Sequence, residues 1–216
     1  ESYFYSVSAQ KICEFIDYYF KSFKEDKDEK LFHNLRYWYM EESLKNKTIV
    51  ISGASSGIGY QISQDLLQMG ARIIMLGRNK EKLINSKKEL IQITKNDKII
   101  DFQADITKNT DINKLSDVLN DEKIYVYGLV NNAGINPSRE NLLNTTNECW
   151  EETINTNIKG AFYLTKIIIK SMLKNKSGSV VNISSIAGIS GMRDRFAYLV
   201  SKTALIGFTK SIAVDY

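Results

Sequence analysis

A tyrosine and a lysine four residues apart, Tyr198 and Lys202, have the clearest catalytic potential in this 216-residue sequence. On a helix, residues i and i+4 share a face, so the lysine ammonium would lie beside the phenol. A neighbouring positive charge favours the phenolate and lowers the tyrosine pKa from its usual value near ~10. Such a tyrosine can give a proton to a carbonyl oxygen or take one from an alcohol. Ser185, at the end of a predicted strand, could donate a hydrogen bond to the same oxygen.

A glycine-rich turn, residues 52–59 with the sequence Ser-Gly-Ala-Ser-Ser-Gly-Ile-Gly, is the second feature with a chemical meaning. Gly53 permits a tight turn, Gly57 lets the backbone approach a diphosphate, and Gly59 allows a helix to pack closely on the sheet. Free amides at the start of that helix favour a phosphate. The turn therefore predicts a dinucleotide site, with contacts from Gly53, Ser55, Ser56, Gly57, Ile58 and Gly59.

The elements that would position these residues alternate between strand and helix from Lys47 onward. Strands are predicted at 48–51, 72–76, 98–103, 125–130 and 179–183. Helices are predicted at about 58–69, 80–94, 111–120, 147–174 and from 196 to the end. This alternation indicates a parallel sheet flanked by helices, and right-handed crossovers make it doubly wound. The predicted fold class is therefore α/β with a Rossmann-like sheet.

Over residues 47–216 the sequence resembles the short-chain dehydrogenase/reductase family, with features of its carbonyl-reductase-like and tropinone-reductase-like members. Five motifs carry the resemblance in the family's order. The five motifs are the glycine turn, Asn131-Asn132-Ala133-Gly134, Asn157-Ile158-Lys159-Gly160, Ser185, and Tyr198-Leu199-Val200-Ser201-Lys202. In the glycine turn, Ser52 stands in place of the family's threonine. Ser185 and Tyr198 are 13 positions apart, as is usual in the family.

The resemblance implies an oxidoreductase that interconverts a ketone or aldehyde and a secondary alcohol by hydride transfer. Asn157, Ser185, Tyr198 and Lys202 match the family's catalytic residues. By the same resemblance, Lys202 would also hold the nicotinamide ribose, and Asn157 would anchor a water that relays protons from Lys202 to solvent.

The cofactor predicted for this chain is NADP(H) rather than NAD(H). An acidic residue after the second strand would bind the adenosine ribose 2′-hydroxyl and select NAD. Gly77 occupies that place and Arg78 follows it. An arginine can pair with a 2′-phosphate in a bidentate way, although Arg78 could also be an ordinary surface arginine. By resemblance, Asp105 and Ile106 would contact adenine, although Asp105 could instead be a helix cap. The predicted cofactor-binding set is completed by Asn79, Asn132, Ala133, Gly134, Tyr198 and Lys202.

Residues 1–46 have a different character from the predicted NAD(P)-binding domain at 47–216. They hold about half of the chain's aromatic residues. An apolar set within them falls on one helical face, namely Ile12, Phe15, Ile16, Tyr19, Phe20 and Phe23. We therefore expect an aromatic-rich helical arm, which either packs on the domain as a stabilising segment or attaches the protein to a larger assembly.

Members of the family continue beyond the position of Tyr216 with a sixth strand, a Pro-Gly segment, a substrate lid and a seventh strand. The C-terminal strands of the family fold are therefore expected to be missing from residues 1–216, which leaves the fifth strand as an exposed edge. Three explanations stay open: a longer chain, a partner chain that completes the sheet, or an accessory subunit without catalysis. Such a subunit could bind NADP as a structural ligand.

Composition excludes several other classes of protein. The net charge of +4 is too diffuse for nucleic-acid binding, and no apolar run approaches ~18 residues, so no membrane span is expected. Two cysteines, Cys13 and Cys149, and the single His33 give neither a disulfide framework nor metal-ligand spacing. We expect a reducing intracellular compartment, with cytoplasm and mitochondrion both open. The family resemblance implies a small-molecule carbonyl or alcohol substrate and a homodimer or homotetramer.

Overall fold

Residues 44–216 are the part of the chain that the structure, a computed structural model, describes. The predicted N-terminal arm over 1–46 lies outside these residues except for 44–46, which form a turn ahead of the first strand. The helical character of the arm and its part in a larger assembly therefore stay predictions.

Five parallel strands form one sheet in the order β3-β2-β1-β4-β5. They are β1 (Thr48–Ser52), β2 (Arg72–Gly77), β3 (Ile99–Gln103), β4 (Val126–Asn131) and β5 (Ser179–Asn182). The chain runs outward from β1 to β3 and then returns to the other side of β1, so the strand order reverses between β1 and β4. The predicted α/β fold with a doubly wound, Rossmann-like sheet is confirmed.

Six α-helices lie within the described residues: α1 (Gly57–Gln68), α2 (Lys80–Thr94), α3 (Asn109–Asp121), α4 (Asn147–Ile154), α5 (Gly160–Lys174) and α6 (Phe196–Asp215). A π turn, Asn155–Lys159, joins α4 to α5, and a 3₁₀ turn, Ile186–Gly188, follows β5. The long helix predicted over about 147–174 is present with those bounds, and a π turn lies at its centre. A π turn inserts one residue into the helical repeat, and such insertions are frequent at functional sites.

Alternate residues of the inner strands pack into separate cores on the two faces of the sheet. Val50 and Ile74 face a core completed by apolar residues of α3 and α5. Ile49, Ile51 and Ile73 face a second core completed by leucines of α1 and α2. Because both faces are covered, these strands are continuous apolar runs, which is typical of parallel sheets.

The β5 strand lies at one edge of the sheet and pairs only with β4 within residues 44–216. Val181 in this strand is 47% exposed, and no further strand follows β5 in the described part of the chain. Within residues 44–216, β5 therefore has one unpaired side. None of the helices described between residues 44 and 216 is long and apolar enough to cross a membrane.

Candidate active site

A cleft of about 550 Å³ opens where the carboxyl ends of β1, β2 and β4 meet. Ligands bind at this point in doubly wound sheets because the loops diverge where the strand order reverses. Thirteen of the predicted site residues line the cleft: Gly53, Ser55, Ser56, Ile58, Arg78, Asn79, Asp105, Ile106, Asn132, Ala133, Gly134, Tyr198 and Lys202. The other four, Gly57, Gly59, Asn157 and Ser185, are not part of its wall.

The Ser52 hydroxyl joins the ends of β1 and β4 below the cleft. Its oxygen accepts hydrogen bonds from the backbone N–H groups of Asn132 and Ala133, both at 3.0 Å. The Asn132 side chain joins the same two strand ends a second time. Its Nδ2 donates to the Ser52 carbonyl at 3.0 Å and to the Gly53 carbonyl at 3.2 Å. These contacts need only a hydroxyl at position 52, which explains how serine can replace the threonine of the family motif.

The three glycines of the turn meet different structural requirements. Gly53 and Gly57 have φ values of +65° and +55°, in the left-handed region that glycine adopts without a steric penalty. Gly59 lies so close to the turn that an added Cβ would be 2.4 Å from the Gly53 carbonyl oxygen. The N-cap of α1, Ser56, makes no side-chain capping bond, so its side chain does not satisfy the first amides of the helix. Those amides fit the diphosphate of a dinucleotide.

Ser86 on α2 is a contact to this turn that the sequence reasoning missed. Its buried hydroxyl donates to the Ser55 carbonyl oxygen at 2.9 Å, across 31 positions of the chain. The available signal was a polar residue on the inward face of α2 between Leu83 and Leu90. A serine at such a position must satisfy its hydroxyl internally.

The exposed Arg78 follows β2 and lines the cleft. Its backbone carbonyl accepts a hydrogen bond from Gln103 Nε2 at 3.0 Å, which fixes the turn against β3. Asn79 is the N-cap of α2, because its Oδ1 accepts from the Lys82 backbone N–H at 2.8 Å. Asn79 therefore has a capping role in addition to lining the cleft.

Asp105 lines the cleft and organises the turn before α3. The N-cap of α3 is Lys108, so Asp105 is not the helix cap, and its contact to adenine stays a prediction. Asp105 Oδ1 accepts from the Thr107 hydroxyl at 2.8 Å and from the Thr107 backbone N–H at 3.0 Å. Burial raises the pKa of Asp105, but the Thr107 hydrogen bonds and the charges of Arg78 and Lys108 outweigh burial, so the pKa is lowered overall. Asp105 is thus a carboxylate near neutral pH.

Tyr198 and Lys202 lie on the same face of α6, as the spacing predicts. The Lys202 ammonium is 5.7 Å from the centre of the Tyr198 ring and donates a hydrogen bond to the Ile183 carbonyl oxygen at 2.8 Å. Lys202 is only 4% exposed, and this burial lowers the pKa of its ammonium group. No carboxylate is paired with Lys202 in the described residues.

The two serines after β5 have different environments. Ser184 lines the cleft, and its hydroxyl donates to the Lys202 backbone carbonyl at 2.8 Å. Ser185, the predicted hydrogen-bond donor to substrate, caps the 3₁₀ turn by accepting from the Ala187 N–H at 3.2 Å. That contact uses a lone pair and leaves the Ser185 proton available to another acceptor. The catalytic role of Ser185 stays a prediction.

Asn157 lies in the π turn and is 1% exposed. Its Oδ1 accepts from the Ile135 backbone N–H at 2.7 Å, while its Nδ2 donates to the Ile135 carbonyl at 3.0 Å and to the Ser201 hydroxyl at 2.9 Å. Both amide protons are therefore used within the protein. A water relay at Asn157 would use the second lone pair of Oδ1 or the backbone carbonyl of Asn157.

Asn131, which directly precedes Asn132 in the sequence, makes its side-chain hydrogen bonds within the sheet and to a helix rather than in the cleft. Its Nδ2 donates to Thr165 on α5 at 3.0 Å and to the Asn182 side chain on β5 at 2.8 Å. Asn182 in turn donates to Thr209 on α6 at 2.8 Å. The consecutive asparagines thus face opposite ways: Asn131 joins β4 and β5 to two helices, and Asn132 holds the glycine turn.

Comparisons with known proteins agree with this geometry. The short chain dehydrogenase family model matches residues 47–216. An uncharacterized oxidoreductase of Thermotoga maritima is 34% identical over 178 residues, which are 81% of this chain and 67% of that protein. A 3-oxoacyl-[acyl-carrier-protein] reductase of Rickettsia bellii is 34% identical over 174 residues, which are 80% of this chain and 67% of that protein.

A solved structure of an Escherichia coli short chain dehydrogenase complexed with NADPH superposes with a TM-score of 0.77 at 28% identity, covering 82% of this chain and 74% of that one. The fold and the site thus define a dinucleotide-binding oxidoreductase. This chain belongs to the short-chain dehydrogenase/reductase family, whose members bind NAD(P). The narrower likeness to carbonyl and tropinone reductases stays a prediction.

Proposed function

We propose that this protein is an NADP(H)-dependent oxidoreductase that interconverts a ketone or aldehyde and a secondary alcohol. The observation that carries the proposal is that one cleft joins the glycine turn and Arg78 to Tyr198 and Lys202. A dinucleotide needs a diphosphate site and an adenosine site, and carbonyl reduction needs a proton donor near the nicotinamide. The cleft contains residues suited to each of these tasks.

The proposed chemistry assigns one task to each side chain. The nicotinamide, when bound, supplies or takes the hydride at the carbonyl carbon. Tyr198 gives its phenolic proton to the carbonyl oxygen in reduction and takes the proton back from the alcohol in oxidation. Lys202 stabilises the phenolate through its charge, which is stronger in the buried setting than in water. Ser185 donates a hydrogen bond to the same substrate oxygen.

The preference for NADP(H) rests on the residues that follow β2. Gly77 supplies no carboxylate to bind a ribose 2′-hydroxyl, and the exposed Arg78 supplies a guanidinium at the mouth of the cleft. No ion pair involves Arg78 within residues 44–216, so its guanidinium has no competing short-range salt bridge there. A 2′-phosphate would gain a bidentate pair with it.

Arg78→Ala is expected to weaken NADPH binding by roughly 1–3 kcal/mol, about 5- to 150-fold, and to leave NADH binding nearly unchanged, because only NADPH carries the 2′-phosphate. Titration calorimetry with both cofactors measures the difference. Arg72→Ala, at the opposite end of β2, is the matched control and should bind both cofactors as the unmodified protein does. Equal affinity of the unmodified protein for NADPH and NADH would contradict the proposed preference.

We also propose that the protein forms homodimers or homotetramers through α5 and α6. Phe162 on α5 is 44% exposed, with the Lys166 ammonium 5.6 Å from its ring centre. Helix α6 lacks a distinct polar face, and its Val214 is 87% exposed, which leaves apolar surface for a partner. Light scattering should show a dimer or larger species, and Phe162→Glu should shift it toward monomer. A monomeric unmodified protein at micromolar concentration would rule out this association.

A further inference from the structure

Ser201 is the one residue that hydrogen-bonds directly to both the Tyr198 segment and Asn157 within residues 44–216. It is fully buried on α6, with 0% of its surface exposed. Its hydroxyl donates to the Tyr198 carbonyl oxygen at 2.7 Å and accepts from Asn157 Nδ2 at 2.9 Å. A serine hydroxyl has a single proton, so these two contacts have fixed donor and acceptor roles.

The bond from Asn157 to Ser201 is a hydrogen-bonded link between the π turn and α6, which also pack against each other. No other hydrogen bond between the π turn and α6 occurs in the part of the chain that the structure describes. The loop residue Ile135 fixes the orientation of the Asn157 amide through its N–H and carbonyl, but Ile135 belongs to neither element. Ser201 therefore sets how closely Asn157 approaches the helix that carries Tyr198 and Lys202.

The approach of Asn157 matters because its remaining acceptor lies near the lysine. A Cβ added to Gly134 would lie 3.2 Å from Asn157 Oδ1 and 3.3 Å from Lys202 Nζ. The two polar atoms thus border the same point beside Gly134. Their relative placement depends on the position of the π turn against α6, and small displacements of groups that handle protons have large effects on rate.

We propose that Ser201 is a positioning residue, which holds Asn157 against the first turns of α6 and so sets the geometry between the Asn157 oxygen and the Lys202 ammonium. This inference rests on the proposed oxidoreductase function. Ser201 itself does not line the cleft, and its only hydroxyl proton is used within the protein. Its effect on the reaction therefore passes through Asn157.

A double-mutant cycle tests this dependence. Ser201→Ala is expected to lower kcat for carbonyl reduction about tenfold and to leave the KM for NADPH unchanged. In the Asn157→Ala background the same change should have no further effect, because the group on which Ser201 acts is gone. Thr203→Ala removes another α6 hydroxyl that bonds a backbone carbonyl but does not touch Asn157, and should leave kcat unchanged. An unchanged kcat in Ser201→Ala, or an equal loss in both backgrounds, would overturn the proposal.

A second measurement does not depend on turnover. The Asn157 side-chain amide protons, assigned by their loss in the Asn157→Ala spectrum, should exchange slowly with solvent in the unmodified protein. In Ser201→Ala, the amide proton that bonds to Ser201 should change its chemical shift and exchange with solvent at least about tenfold faster. The reason is that a buried donor without a partner is free to reorganise. Identical amide signals in both proteins would disprove the Ser201 contact. A protein that reduces no carbonyl compound but shows the amide change would refute the proposed function and leave the contact established.

Discussion

Tyr198→Phe is expected to lower the rate of carbonyl reduction by about 10²–10⁴-fold, because the substitution removes the proton donor. NADPH should still bind, because little else changes. The phenol oxygen is the only atom lost, and the ring stays beside the Lys202 ammonium, which is 5.7 Å from the ring centre in the unmodified protein. Lys202 keeps its anchor on the Ile183 carbonyl, so the cleft should retain its shape. A ring without a hydroxyl cannot protonate the product oxygen.

The measurement is NADPH oxidation with a panel of ketones and aldehydes, accompanied by calorimetric titration of NADPH. Tyr127→Phe is a matched control, since its ring also lies under a lysine, with Lys47 Nζ 4.3 Å from the ring centre, but outside the cleft. The control should keep full activity. Carbonyl reduction that survives in Tyr198→Phe would refute the role of Tyr198. An unmodified protein that binds NADPH and reduces no member of the panel would favour the accessory-subunit alternative.

The elements that sequence predicted well are those with strong local signals. The apolar run Ile49-Val50-Ile51 predicts a strand buried on both faces, and all five residues of β1 are buried. Helix α2 begins and ends where predicted, since Asn79 caps its start and Lys95 ends it in a left-handed conformation. The i, i+4 placement of Tyr198 and Lys202 likewise follows from helix geometry alone.

The parts of the site that sequence could not give depend on partners distant in the chain. The π turn contains Asn157, whose side chain binds Ile135, 22 positions away, and Ser201, 44 positions away. The Ser86 contact to the glycine turn spans 31 positions. A hydroxyl on the apolar face of a helix indicates that a hydrogen-bond partner exists. Which residue is the partner follows only from how the helices pack.

Gly59 belongs to the glycine-rich motif that the sequence predicts, but its main role in the structure is packing and not cofactor contact. Gly59 was predicted among the cofactor contacts, yet it is not part of the cleft wall. Its own surroundings are the Gly53 carbonyl and the Asn132 amide, which it approaches as α1 leaves the turn. The predicted close packing of the helix on the sheet is therefore the role that the structure supports for Gly59.

Gly59→Ala is expected to have the largest effect of any single methyl addition in the turn. The new Cβ would lie 2.4 Å from the Gly53 carbonyl oxygen and 2.5 Å from Asn132 Nδ2. Neither atom can retreat easily, because Asn132 Nδ2 donates to the carbonyls of both Ser52 and Gly53. Helix α1 must therefore move away from the turn. Overpacking of this kind lowers the free energy of unfolding by about 1–3 kcal/mol.

The same displacement should weaken NADPH binding at least about tenfold, since a diphosphate needs the first amides of α1 and the Gly53 turn in register. Urea denaturation and calorimetric titration measure the two effects on one protein. Gly191→Ala is the control, because an added Cβ there meets no atom within 4 Å, and it should match the unmodified protein in both measurements. Gly59→Ala protein that binds NADPH with unchanged affinity would show that the position of α1 against the turn does not determine cofactor binding.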